Sequence, residues 1–391
     1  MKDALLYIHI PFCLAKCDYC DFFSIPSSQK TVDSPYIDAL IKEVSFWKKK
    51  FSLNSWKTLY IGGGTPSLMS PLLTEKLLTS ILKASSSLPQ EITIEVNPET
   101  LTKEKLLCYR QLGINRISMG VQSLNDGALK ACGRHCTSSH IHNALNLLDK
   151  YWQSSLNLDL IAGLEGQSDQ EFAQSAEETA SFGSDHMSLY TLTLEEETPM
   201  YKNTHQGRDF DYDRADSQWF TGREILEKHG LEQYEVSNFA KKGRESIHNM
   251  GYWTQQDYAG AGCSACGTFY DGGGLRWTVK RNIEDYIKYW HDYDESKDMD
   301  FKLPSVCDSE ILDKETVEFE YLMMGLRTVF GLSEKEYLKR FADLSPWHGN
   351  LKERLAQVKD IKVREQKGDR YFYLDKDGLL FLNSVLETLM N

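Results

Sequence analysis

The chain has 391 residues, with 44 Lys or Arg against 57 Asp or Glu for a formal net charge of −13. That length suits two or three domains, or one large barrel with an appendage, and a 41% hydrophobic fraction is enough for a buried core. The acidic balance excludes an ordinary nucleic-acid binder, and no window reaches the roughly 18 consecutive apolar residues of a membrane span.

The first residues, Met1 to Ile10, carry an acid and no small-residue cleavage site, which predicts a cytoplasmic protein. Nine cysteines in such a chain argue against a disulfide framework and for ligand or catalytic roles. Short β-branched runs predict strands at 4–10, 58–61, 92–96, 116–121, 156–161 and 187–192. Helical periodicity fills the gaps, as in 71–84, where Leu73, Leu77, Leu78, Ile81 and Leu82 form one apolar stripe. The run Lys48-Lys49-Lys50 reads as the solvated end of such a helix. Six strand-then-helix units imply an α/β protein with a parallel sheet, either curled into a barrel or open and doubly wound; periodicity does not choose.

A Gly-rich, aromatic stretch at 237–277 breaks this alternation. Helical patterns follow at 282–293, 313–328 and 345–358, then a short alternating pair around Val363 and 371–374 and a last helix from Asp377. Three regions are expected: a barrel over 1–236, a connecting segment over 237–294, and a small helical, winged-helix-like C-terminal domain over 295–391.

Chemistry-bearing residues collect just after the strands. Cys13, Cys17 and Cys20 crowd into eight residues beyond the first. So tight a loop can present three thiolates to a cuboidal iron-sulfur cluster and leave one iron without a protein ligand. The competing reading is a zinc-stabilised structural site completed by a distant fourth ligand. Gly62-Gly63-Gly64-Thr65 ends the second strand, where backbone without side chains admits a ligand closely. Alone it is a weak signal, matching neither the dinucleotide nor the P-loop fingerprint.

Taken together, Tyr7-Ile8-His9-Ile10-Pro11-Phe12-Cys13 with Cys17 and Cys20, the Gly62 to Ser67 turn, Glu95-Val96-Asn97-Pro98 and Arg116 to Ser123 resemble a known family. It is the radical S-adenosylmethionine (SAM) proteins of the oxygen-independent coproporphyrinogen oxidase group, and within it the heme-chaperone branch. Leu158 to Leu164, Tyr234 to Ala240, His248 to Trp253 and Gly325-Leu326-Arg327-Thr328 extend the resemblance over nearly the whole chain. It implies a partial (β/α)6 TIM-like barrel of radical SAM type, with a 4Fe-4S cluster on Cys13, Cys17 and Cys20 and SAM on the open iron. By the same likeness Gly63, Gly64 and Thr65 line the methionyl end of SAM. Glu95, Gln122, Arg134 and Asp159 surround the nucleoside, and Tyr7 and Tyr19 flank the cluster.

Phe22 stands where the oxidases of this group carry a fourth cysteine, and their N-terminal extension is missing, so the resemblance favours the chaperone branch. It implies heme as cargo and a respiratory apo-protein as acceptor. The alternative is a coproporphyrinogen III dehydrogenase acting through a 5′-deoxyadenosyl radical. His248, Tyr252 and Trp253 resemble the HNxxYW segment that the family associates with heme, an imidazole beside two aromatics. Cys266 stands where the family pattern has a histidine, and is a candidate soft ligand to heme. Cys132 and Cys136 sit four apart, a spacing that shares a face if helical.

Overall fold

The computed structural model describes residues 2–270, 273–298, 300–344 and 351–390. Six parallel strands form its centre: β1 (Lys2–Ile10), β2 (Leu53–Gly63), β3 (Glu91–Val96), β4 (Arg116–Gln122), β5 (Ser155–Ala162) and β6 (His186–Thr191), hydrogen-bonded in chain order. The predicted strands fall on these six, the last of them running one residue past Thr191. Helices return the chain between them, and their ends follow local chemistry. Ser70 caps Pro71–Lys83 with proline in its first turn, and Ser168 and Glu171 form a capping box on Asp169–Ser181.

Side chains along each strand alternate between two buried environments. Ile8, Leu59, Ile61, Ile94, Ile117, Met119, Leu158 and Leu160 belong to the large apolar core. The intervening positions are polar yet also buried: Thr58, Thr93, Arg116, Ser118, Asn157, His186 and Ser188. One face therefore packs on helices while the other lines a polar interior, the arrangement a strand period of two allows.

The sheet does not close. Beyond β1, strand Tyr258–Ala261 pairs in parallel, and Cys266–Phe269, Gly274–Val279 and Cys307–Leu312 continue antiparallel. Beyond β6 lie Asn238–Ala240 and Glu232–Gln233. No pairing joins the two outer edges among the described residues, so the molecule is a partial barrel. The Gly-rich stretch thus extends the sheet. Gly267 is needed there because a Cβ would fall 2.2 Å from the ring of Trp277 on the neighbouring strand.

A second apolar cluster runs from Leu312 to Leu389. It combines helices Lys314–Gly325, Glu334–Phe341, Leu351–Leu355 and Leu382–Met390 with a small sheet of Leu332–Ser333, Asp369–Tyr373 and Lys362–Gln366. Part of the helix predicted at 345–358 lies outside the described residues. The unit docks on the barrel through a bridge between Glu235 and Thr328 and through Val329 N–H donating to the Tyr234 carbonyl at 3.0 Å.

The Arg354–Glu318 ion pair at its centre is nearly solvent-free, at 3% and 1% side-chain exposure. Tyr337 Oη also donates to Glu318 at 2.7 Å, and Arg354 to the Leu389 carbonyl at 3.1 Å. Removing one member strands a buried charge, which costs about 3–5 kcal/mol. Arg354→Met is accordingly expected to lower the thermal unfolding midpoint, read by calorimetry; a midpoint within a degree or so of the parent would contradict this role.

Candidate active site

The cysteine loop leaves β1 at Pro11 and is tied at several points. Ile25 N–H donates to the Pro11 carbonyl at 2.8 Å, and Ser27 N–H to that of Cys13 at 2.6 Å. Asp18 N–H reaches the Cys132 carbonyl at 3.0 Å, and Met200 N–H the Asp18 carbonyl at 2.9 Å. Cys13, Cys17 and Cys20 are all free thiols facing one cavity of about 620 Å³ at the carboxyl ends of the strands. Burial raises the thiol pKa of Cys17, opposed by the nearby Arg134 charge, and pushes that of Cys20 up to about 11. Loading metal must therefore displace protons. Among the described residues no three His, Cys, Asp or Glu side chains converge on a point that could hold a single ion. Thiols spread round a common cavity suit the separate corners of a cluster better than one zinc.

The Gly62 to Thr65 turn forms the opposite wall. Gly64 N–H donates to the Ile10 carbonyl at 2.9 Å and Thr65 N–H to that of Phe12 at 2.7 Å, binding the turn to the cysteine loop. A Cβ on Gly64 would lie 2.7 Å from the Phe12 carbonyl oxygen and 3.0 Å from Cys13 Sγ. Gly63 adopts φ +114°, where a side chain would also strike the His9 ring. At both positions the protein itself, the His9 ring and the Phe12–Cys13 segment, leaves no room for a Cβ.

Glu95 is fixed by Tyr60 Oη at 2.8 Å and Gly63 N–H at 3.0 Å. Burial lifts its carboxyl pKa to about 7 against those two donors, with Asp159 adding repulsion. Asp159, likewise raised by burial, accepts from Asn157 Nδ2 at 2.6 Å. Gln122 turns into the cavity at a bulge in β4 with φ +67°, its Oε1 buried and unpartnered. Arg134 donates to the Gly120 carbonyl and, at 3.3 Å, to Tyr19 Oη, while its Nε has no partner.

The structure thus gathers Cys13, Cys17, Cys20, Tyr19, Gly63, Gly64, Thr65, Glu95, Gln122, Arg134 and Asp159 at one cavity. Tyr7 lies beneath it, hydrogen-bonded to His9 Nδ1 at 3.0 Å and stacked near Tyr60. Residues missed by the sequence reading also line it, notably Ser118, Tyr190, Thr193 and Glu195. The inward alternate positions of β4 and β6 were the signal for the first two. Cys132 and Cys136 do not share a helix face: Cys132 ends the helix Asp126–Ala131, and Gly133, at φ +71°, turns the chain away.

His248, Tyr252, Trp253 and Cys266 lie elsewhere. Helix Ile247–Trp253 is capped by Ser246, and buried Glu91 accepts from the Ile247 and His248 amides at 2.9 and 3.0 Å. The His248 ring is 1% exposed, with Nδ1 against Thr58 Oγ1 at 2.7 Å and Nε2 against Tyr252 Oη at 2.9 Å. Burial lowers its pKa to about 3, so it stays neutral. Thr58 precedes Gly63 by five residues on β2, about 16 Å along the strand, which puts His248 well below the cysteine cavity. Trp253 carries the Arg327 guanidinium 5.3 Å above its ring. Cys266 lies on the extended sheet, 4.0 Å from Tyr258 Oη.

Parallel strands delivering three thiols, a glycine turn and buried carboxylates to one cavity define a radical SAM protein, and a model of the radical SAM superfamily matches residues 7–179. The chain is 33% identical over 98% of its length to the heme chaperone HemW of Buchnera aphidicola, covering 98% of that protein. It is 34% identical to the HemW of Bacillus subtilis, with 87% of each chain covered. Its fold matches the coproporphyrinogen III oxidase HemN of Escherichia coli with a TM-score of 0.77 at 21% identity, over 99% of this chain and 90% of that one. The chain belongs to the HemW family of radical SAM proteins. Membership in that superfamily implies a 4Fe-4S cluster and SAM as cofactors. No helix among the described residues is long and apolar enough to cross a membrane.

The close approach of Gly64 to Phe12 and Cys13 gives a direct test of the wall. Gly64→Ala forces the backbone of Phe12 or Cys13 aside, and overpacking of this kind costs about 1–3 kcal/mol. The expected result is a lower urea midpoint for the metal-free protein; an unchanged midpoint would show that the wall yields freely.

Proposed function

We propose that the protein is a heme chaperone that holds a 4Fe-4S cluster and SAM in the cysteine cavity and passes heme to a respiratory apo-protein. The observation that carries this reading is the near-full-length match to proteins named heme chaperone, together with three thiols and a glycine turn at one cavity. Cys13, Cys17 and Cys20 anchor the cluster in this reading. The cluster and SAM, when bound, supply one-electron reductive chemistry.

The remaining residues bind and orient. Gly63 and Gly64 admit the methionyl backbone, and Thr65 offers a hydroxyl already oriented by Asn97 Nδ2 at 3.3 Å. Glu95 accepts from the ammonium group, held in place by Tyr60 and Gly63. Arg134, braced by Gly120 and Tyr19, presents its remaining N–H groups to a carboxylate or hydroxyl. Asp159 and Gln122 supply the polar edge for the nucleoside. Phe22, 65% exposed at the cavity mouth, leaves that rim without a further thiolate.

A second reading, porphyrinogen dehydrogenation, is favoured only by the shared fold with the coproporphyrinogen oxidase. Anaerobic turnover with coproporphyrinogen III separates the two, and no product is expected.

The Glu95 carboxyl, raised to about 7 against an ordinary 4.5, gives SAM binding a pH signature. Below pH 7 the carboxyl is protonated and must release its proton to accept from an ammonium, so affinity falls as pH falls. The expected loss is about fivefold from pH 7 to pH 6, approaches about tenfold per unit below pH 6 and flattens above 8. Calorimetric titration of SAM across that range checks it, and Glu95→Gln is expected to abolish the slope. A slope that survives in Glu95→Gln belongs to another group.

A further inference from the structure

A second cavity of about 510 Å³ opens beside the first, and the two share Tyr190, Thr191 and Thr193 at the end of β6. That volume falls in the roughly 300–1,000 Å³ range of ligand sites. One wall belongs to the barrel, with Trp219 and Phe220 on helix Tyr212–Lys228. The other belongs to the C-terminal unit, with Leu379 and Leu380 on the turn Gly378–Phe381. Tyr190, Phe220 and Leu380 are each 41–43% exposed. Three large, half-covered side chains thus face one cleft from three elements, with Thr191, Thr193, Gln233, Ser237 and Asn383 as the polar part of its lining.

The cleft also holds a cation. Arg327 lines it, with Nε buried and unpartnered and with no ion pair among the described residues. The nearby acid is Glu235, whose burial lifts its carboxyl pKa to about 7 although Arg327 pulls it down. Asp216 is on the lining too, exposed on the barrel helix. Arg327 is held by Trp253, the last residue of the HNxxYW helix, whose first turn is pinned by Glu91 and whose imidazole is pinned by Thr58 and Tyr252. Two segments that the cysteine cavity leaves unused, His248 to Trp253 and Gly325 to Thr328, are therefore joined through the Trp253–Arg327 contact, and Arg327 brings them to the cleft.

We infer that the cleft between the barrel edge and the C-terminal unit seats the heme cargo, with the macrocycle between the Phe220 and Leu380 walls and a propionate on Arg327. The inference rests on the chaperone reading above. A flat apolar disc with carboxylates at one edge is the ligand that aromatic and aliphatic walls with a single free guanidinium recognise. No lining residue is His, Cys or Met, so the cleft holds its guest by faces and charge and not by a strong axial bond. That suits cargo that has to leave again. The HNxxYW helix acts here as a brace that aims Arg327, with His248 as a positioning residue.

The test is an anaerobic titration of the full-length, cluster-reconstituted protein with ferric heme, followed at the Soret band. Wild type is expected to saturate, and Arg327→Glu and Leu380→Asp each to weaken binding by about tenfold or more. Arg327→Lys should retain an intermediate affinity. Far-ultraviolet dichroism and SAM binding should stay as in wild type, because Leu380 is already 43% exposed and lies outside the SAM site. If both variants bind heme as wild type does, the cleft is not the seat, while the chaperone reading stands. If wild type itself shows no saturable binding, the chaperone reading falls and this inference with it.

Discussion

A single buried cation organises the barrel interior. Arg116, 3% exposed on the inner face of β4, loses its hydration on folding, and the carboxylates of Glu91 and Asp159 offset that loss. An isolated charge in such a place would cost several kcal/mol, so the inward positions of the neighbouring strands cannot vary independently. His186 and His248 are kept neutral by burial and by the field of Arg116. Asn157 links Ser118, Asp159 and Ser188, and His186 joins Asn157 to Tyr234. The column runs from Glu91, which caps the HNxxYW helix, to Glu95 and Asp159, which border the cysteine cavity. The functional ends of the barrel are thus parts of one electrostatic unit.

What could be read in advance follows from range. The six strands and the cysteine and glycine turns were legible because alternation, Gly and Pro placement and thiol spacing are local signals. The inner polar column was not, since its pairs are set by the approach of segments distant in the chain: Thr58 and His248 touch across 190 residues. The same holds for the stretch at 237–277, whose glycines suggested a break. Gly260 and Gly267 are there because strands and the Trp277 ring approach too closely for a Cβ. Arg134 could be singled out only by family likeness, and its dependence on Gly120 and Tyr19 emerged from the fold.

The two cavities divide the work between different elements. The cysteine cavity is built from strand ends and turns that the polar column holds rigid. The neighbouring cleft lies between bodies with separate apolar cores, joined by the Glu235–Thr328 bridge and by contacts such as Lys376 with Glu227 at 2.8 Å and Arg223 with Asp377 at 3.2 Å. Exposed ion pairs of that kind contribute little each. Buried and part-buried hydrogen bonds add to these, Gln255 Nε2 donating to the Val317 carbonyl at 2.8 Å and Arg340 to Gln255 Oε1 at 2.6 Å, and the two cavities meet at Tyr190, Thr191 and Thr193.

The open sheet has a cost that a closed barrel avoids, because its outermost strands expose unpaired backbone. Strand Cys307–Leu312 is exposed over most of its length, including Ile311 at 80%. A bare edge of this kind invites another chain to add a strand. Asp308 and Glu310 alternate with Ser309 and Ile311 there, and each is paired with a cation, Lys280 at 3.5 Å and Arg276 at 3.3 Å. Hydrated charges at every second position keep this edge from offering a flat apolar row to a second copy of the chain.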